Sequence, residues 1–225
     1  MSLYRNYISW DLARTIPTAT LLTKNRGSIG ANQNFLGTTN SIVKRLNIPF
    51  DTSDLPDGVT LEAATLRLQH DKYWDPYSNS HPDSVDELVL VQTSDPQPTV
   101  RELSDYGAFL PIDSPPEGAP RLDVSDTYVL EGEFVFPLNA TGLSWIDDTG
   151  FTLLGLRTGW DVDNVSFAAP EELDLGIAFV PPDSPVAGPR LTVTYHPLPE
   201  PGAGAGIVSG AVLLAWLVRR RGRRR

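Results

Sequence analysis

From about residue 16 to residue 195, short runs of β-branched and aromatic residues alternate in twos and are broken by clusters of Pro, Gly, Asp and Asn. A period of two suits a strand with one buried face and cannot keep a helix amphipathic. In Ala64-Thr65-Leu66-Arg67-Leu68-Gln69 the leucines face one way and Thr65, Arg67 and Gln69 the other. Leu191-Thr192-Val193-Thr194-Tyr195 alternates in the same manner. Turn chemistry stands between the runs, as in Leu55-Pro56-Asp57-Gly58 and Val180-Pro181-Pro182-Asp183. The pattern predicts strands over 18–23, 41–49, 61–69, 87–93, 127–137, 150–157, 173–179 and 190–196. Short helices are expected around 100–108 and 140–146, the second burying Trp145, and Gly27-Ser28-Ile29-Gly30 reads as a loop. The fold class expected is all-β, an antiparallel β-sandwich over 18–196 with residues 1–17 as an N-terminal extension.

With 225 residues and 40% hydrophobic content, such a domain can bury a core without borrowed staples. There is no cysteine, which excludes disulfides, thiolate metal sites and a thiol nucleophile. The net charge is −10, yet six arginines crowd the last seven positions, and everything upstream of them carries −16. A body this acidic repels phosphate backbones, so no nucleic-acid partner is expected.

The tail is organised separately. Pro199-Glu200-Pro201 closes a Pro-rich linker (197–201), residues 202–218 carry no charge, and 219–225 are Arg-rich. As a helix the uncharged stretch would span about 26 Å, near the hydrocarbon thickness of a bilayer. Trp216 would sit near the interface, and Arg219, Arg220 and Arg221 would hold the end on the cytoplasmic side as a membrane anchor. The alternative is a C-terminal core helix followed by a basic nucleic-acid-binding tail. The order of motif, apolar stretch and arginines resembles the PEP-CTERM sorting signal. The resemblance implies an exosortase-type processing enzyme as partner, cleavage near Pro199-Glu200-Pro201, and export from the inner membrane to the cell surface or extracellular matrix. The opening residues hold no apolar run or small-residue cleavage site of a signal peptide. An upstream start is the favoured account; another export route, or a tail with a different meaning, is the alternative.

Three segments resemble DNRLRE-type modules in their order. They are Lys44–Phe50 leading into Leu55–Leu68, then Phe136–Ile146 before Gly150–Arg157, and lastly Gly188–Tyr195. The resemblance implies a jelly-roll-like domain found on surface proteins, with carbohydrate binding attributed to some members.

For chemistry, the three histidines (His70, His81, His196) form no catalytic pattern, and no metalloprotease, nucleophile-elbow or phosphate-loop motif occurs. Tyr73, Trp74 and Tyr77 cluster among Asp71, Lys72, Asp75 and Asn79, and Trp160 stands beside Asp161. Such aromatics can stack on pyranose faces while polar neighbours bond hydroxyls, pointing to extracellular polysaccharide as ligand; the alternative is that the rings cap the sandwich. Asp161, Asp163 and Asn164 put oxygen donors at alternating positions and suggest Ca²⁺, although one loop cannot complete its six to eight ligands; a solvated Asx turn is the alternative. The expectation is a non-enzymatic surface or matrix protein. Its rivals are an exported polysaccharide hydrolase and a structural component of a cell-surface or virion assembly.

Overall fold

Alternation decides the smaller sheet. Strand β5 (Thr60–Gln69) turns Ala64, Leu66 and Leu68 fully inward, at 4%, 0% and 0% exposure. Burying a leucine in this way contributes about 1.5–3 kcal/mol. The computed structural model describes residues 2–7, 9–19, 21–23, 27–33, 41–70, 87–95, 97–100, 102–123, 132–165, 173–180 and 188–196. Among these, β5 pairs antiparallel with β8 (Glu133–Pro137) on one side and β11 (Arg190–His196) on the other. Strand β8 adds Phe134 and Phe136 to the core. Leu191 and Val193 of β11 pack against it half-buried, as their spacing predicts. Glu133 accepts hydrogen bonds from Arg67 and Arg190, which tie the three strands across their outer face. Those two guanidinium bonds, Arg67 first, hold the Glu133 carboxyl below its ordinary range.

The larger sheet follows another rule. Strand β6 (Glu87–Gln92) buries four successive residues, Leu88 to Val91, and its continuous apolar run belongs to a strand covered on both faces. The sheet also contains β1 (Ser2–Tyr7), β2 (Leu21–Thr23), β3 (Gly27–Gln33), β4 (Ser41–Asp51), β7 (Leu122–Asp123), β9 (Phe151–Thr158) and β10 (Leu173–Phe179). Its main path runs β10-β3-β4-β9-β6-β7, with β1 joining β4 to β2, and every pairing is antiparallel. Strand β4 is long enough to meet three neighbours: residues 41–46 pair with β1, 41–44 with β3, and 46–51 with β9.

One hydrophobic core joins the sheets, with Leu46, Ile48, Leu154 and Leu156 from one and Leu66, Leu68, Phe134 and Phe136 from the other. A β-bridge between His70 and Phe179 links their margins, and the His70 ring meets Phe134 edge-on at 5.6 Å. His70 is half-buried, on the same side of the alternation as Leu66 and Leu68. The architecture is all-β, with helix confined to segments of four to six residues among the described residues. The segment expected at 100–108 is a 3₁₀ helix, Leu103–Ala108, and that expected at 140–146 is α2 (Ala140–Leu143). Asn139 caps α2 by accepting from the Gly142 N–H at 3.0 Å.

Two expectations need correction. The segment 1–17 is no extension: it supplies β1 and helix α1 (Trp10–Thr15), with Trp10, Ala13 and Arg14 buried. Gly27–Gly30 is not a loop but lies in β3, paired throughout with β10 and, at Gly30, with β4 as well. No helix among the described residues is long and apolar enough to cross a membrane, and 202–218 lies outside them.

Trp145 is a core residue, as expected, at 8% exposure, and its ring lies against Gly118. A Cβ built on Gly118 would sit 2.1 Å from the ring. Gly118→Ala should therefore displace the indole and cost roughly 1–3 kcal/mol, the usual range for overpacking. A lowered urea midpoint with a shifted tryptophan emission is the expected readout; an unchanged midpoint would contradict this packing.

Candidate functional site

Helix α3 (Gly159–Asp163) starts where β9 ends. The Thr158 hydroxyl caps it by accepting from the Asp161 N–H at 3.3 Å, and the turn carries Trp160, Asp161 and Val162 into the interior at 0%, 0% and 1% exposure. The helix stops at Asn164, whose φ of 55° is left-handed, a conformation asparagine tolerates better than most residues. The Asn164 side-chain oxygen accepts from the Trp10 indole N–H at 3.2 Å, so the C-terminal cap of α3 is fastened to α1.

Asp161 is the centre of a buried charge cluster. Arg45 of β4 donates to both carboxylate oxygens, Nε to Oδ2 at 2.7 Å and Nη2 to Oδ1 at 2.9 Å. Arg157 of β9 donates Nε to Oδ2 at 2.8 Å. Arg14 of α1 reaches the Asp161 backbone carbonyl at 3.0 and 2.6 Å and the Asp113 carboxylate at 2.5 Å. Burial alone would raise the Asp161 pKa, but the charges and hydrogen bonds of Arg45 and Arg157 overcome it and hold the carboxyl well below the usual range. For Arg45, burial opposes the charged form and Asp161 restores it, leaving the guanidinium more firmly protonated than in water.

Three buried guanidinia face one buried carboxylate, and Asp113 is mostly exposed. Backbone carbonyls supply much of the remaining compensation. Arg45 donates to the carbonyls of Tyr106 and Arg14, and Arg157 to those of Pro111 and Ile112. The Tyr106 ring lies 4.3 Å from the Arg45 guanidinium carbon, and its hydroxyl donates to the Ala13 carbonyl at 2.7 Å. The cluster thereby binds α1, β4, β9 and the 106–113 segment together. An ionised carboxylate locked between guanidinia is poorly placed to exchange protons, so the arrangement is suited to holding backbone, not to acid–base chemistry.

The residues expected to bind ligand lie otherwise than the sequence suggested. Trp160 is wholly buried and presents no face to a sugar. The three expected calcium donors do not converge. Asp161 serves the arginines, Asp163 accepts from Arg121 at 2.6 and 2.8 Å, and Asn164 serves Trp10. Arg121 also bonds Glu117 and Glu87, a network that raises its own pKa. Among the described residues no three histidines or carboxylates are grouped to hold a metal ion. Tyr73, Trp74 and Tyr77 lie outside the described residues, as do Pro199, Glu200, Pro201, Trp216 and Arg219 to Arg221. Sequence reasoning missed Arg14, Arg45 and Arg157. A signal was present in Arg157, a lone charge in an apolar strand four residues before Asp161.

An open cleft of about 300 Å³ lies elsewhere, lined by Ser94, Asp95, Gln97, Glu102, Ser104, Asp105, Gly107 and Ala108. Asp95, at 3% exposure, accepts from the Asn47 side-chain amide at 3.1 Å and from the Gln97 N–H at 2.9 Å. Asp105 accepts from the Glu102 N–H in a capping box that sets the 3₁₀ helix. The Ser94 N–H and hydroxyl both donate to the Ala108 carbonyl, closing the cleft floor. Compared with known proteins, the chain matches no family model, no curated protein and no solved structure.

Proposed function

We propose that this chain is an exported, non-enzymatic surface or matrix protein, delivered through its C-terminal tail and able to bind carbohydrate. The observation that carries the reading is the order of Pro199-Glu200-Pro201, the uncharged stretch 202–218 and the terminal arginines. Each part has a physical role in it. The Pro-rich break ends the folded body, the apolar stretch partitions into the bilayer, and the arginines keep their end in the cytoplasm. The acidic body then lies on the outer side. Its antiparallel all-β architecture agrees with this, since surface modules of many kinds are built so. The finer proposal is a jelly-roll-like sandwich of the DNRLRE type, in which β4, β5, β8, α2, β9 and β11 take the order of the resembling segments. The membrane helix over 202–218, an exosortase-type partner and a glycan ligand belong to the same proposal.

The test is localisation of the full chain, expressed with its native upstream sequence and tagged in the exposed turn at Asp54, with and without residues 199–225. Surface display or release that is lost on truncation is the expected result. Equal distribution of both forms would overturn the sorting role. Turnover of a glycan by the purified protein would replace the binding role with hydrolysis.

A further inference from the structure

We infer that the cleft between Ser94 and Ala108 is the carbohydrate site, and that it takes an uncharged sugar unit. The inference rests on the carbohydrate-binding part of the proposed function and gives it a place and a ligand class. Asp95 forms part of the cleft wall although it is nine-tenths buried, and its carboxylate holds two neutral N–H donors. Among the described residues no lysine or arginine forms an ion pair with it. A desolvated anion of this kind is costly unless further hydrogen-bond donors reach it.

The rest of the lining says which donor. The Ser94 and Ser104 hydroxyls, which donate to the Ala108 carbonyl and the Glu102 carboxylate, keep lone pairs to accept with, the Gln97 amide both donates and accepts, and Glu102 and Asp105 add acceptors. A sugar hydroxyl donates and accepts through one atom and so can satisfy both kinds of group. The carboxylates are not grouped to hold a metal ion, and a uronic acid or a phosphate would be repelled by them. A volume of about 300 Å³ lies at the small end of ligand sites and suits one or two sugar rings. The groups are held in advance: Asp95 by Asn47, Asp105 by its capping box, Ser94 by Ala108. Little ordering is left for binding to impose.

The experiment titrates the full chain with laminarihexaose and cellohexaose, and with alginate oligosaccharide as the anionic comparison. It is repeated on Ser104→Trp and Gln97→Trp, which fill the cleft from exposed positions, and on a Tyr73→Ala/Trp74→Ala/Tyr77→Ala variant. Binding of a neutral hexaose that falls at least tenfold in both filling variants, with unchanged melting temperature and no affinity for alginate, is the expected result. Binding that survives both filling variants and fails in the triple variant would move the site to the aromatic loop and overturn the cleft alone. Failure of the unaltered chain to bind either neutral hexaose would overturn the carbohydrate reading together with this site.

Discussion

Asp161→Asn is expected to lower stability by about 3–5 kcal/mol, the cost of stripping a buried ion pair of one partner. That is a large part of the roughly 5–15 kcal/mol that separates a typical domain from its unfolded chain. The amide keeps the shape of the carboxylate and still accepts one guanidinium N–H. It cannot neutralise Arg45 and Arg157, which remain fully buried. Replacing all three by apolar residues, which often rescues a buried ion pair, is expected to fail here. The carbonyls of Tyr106, Arg14, Pro111 and Ile112 would lose their donors, and each orphaned acceptor costs about 1–3 kcal/mol. Urea denaturation of the two variants tests both statements; an apolar triple variant as stable as the native chain would show that the guanidinia are not needed by the backbone.

The same residue sets a pH dependence. In the unfolded chain Asp161 takes up a proton as pH falls through about 3.9, whereas in the folded state its carboxyl stays ionised well below that. The unfolded state then binds more protons, so stability is full above about pH 4 and falls as the solution is acidified further. The contribution of this one group is about 1.4 kcal/mol per pH unit in that window. A stability profile for Asp161→Asn should be shallower below pH 4 than that of the native chain.

Deleting residues 1–15 is expected to abolish cooperative unfolding altogether. The deletion removes β1, which pairs with β4 along residues 41–46, and it removes Trp10 and Ala13 from the core. It also takes away the Arg14 and Ala13 carbonyls, on which Arg45 and the Tyr106 hydroxyl depend. Losing a strand, a core tryptophan and two buried acceptors together exceeds what a marginally stable domain tolerates. Far-ultraviolet dichroism with a urea titration is the measurement. A sharp transition in the truncated chain would return residues 1–15 to the status of an appendage.

Much of the sheet structure was legible because burial on one face writes itself as alternation. Ala64, Leu66 and Leu68 of β5 are the clearest instance, and the short helix carrying Trp145 toward the core was readable from its apolar spacing. Strands β1 and β3 were not. Ser-Leu-Tyr-Arg-Asn-Tyr and Gly-Ser-Ile-Gly-Ala-Asn-Gln have weak strand preference of their own, and pairing with β4 and β10 holds them extended. The surroundings of Asp161 misled for a different reason. Asp161-Val162-Asp163-Asn164 has the composition of a solvated loop, and only the cap at Thr158 turns its first aspartate inward. A carboxylate's role depends on what meets it in space, and Arg14 and Arg45 are 147 and 116 positions away. The cleft was equally hidden, because its lining joins the end of β6 to a 3₁₀ helix through contacts that no periodicity records.

The distance between Arg14 and Asp161 also governs when the molecule can take shape. As the chain is synthesised, Arg14 and Arg45 emerge early and Asp161 late, so two cations wait for the anion that lets them leave water. Until that residue has appeared, Arg45 lacks the carboxylate that accompanies it into the interior, and the tie between β4 and α3 stays open. Contacts of such long separation close slowly. A cluster whose anion follows its cations by more than a hundred residues can close only as a late step.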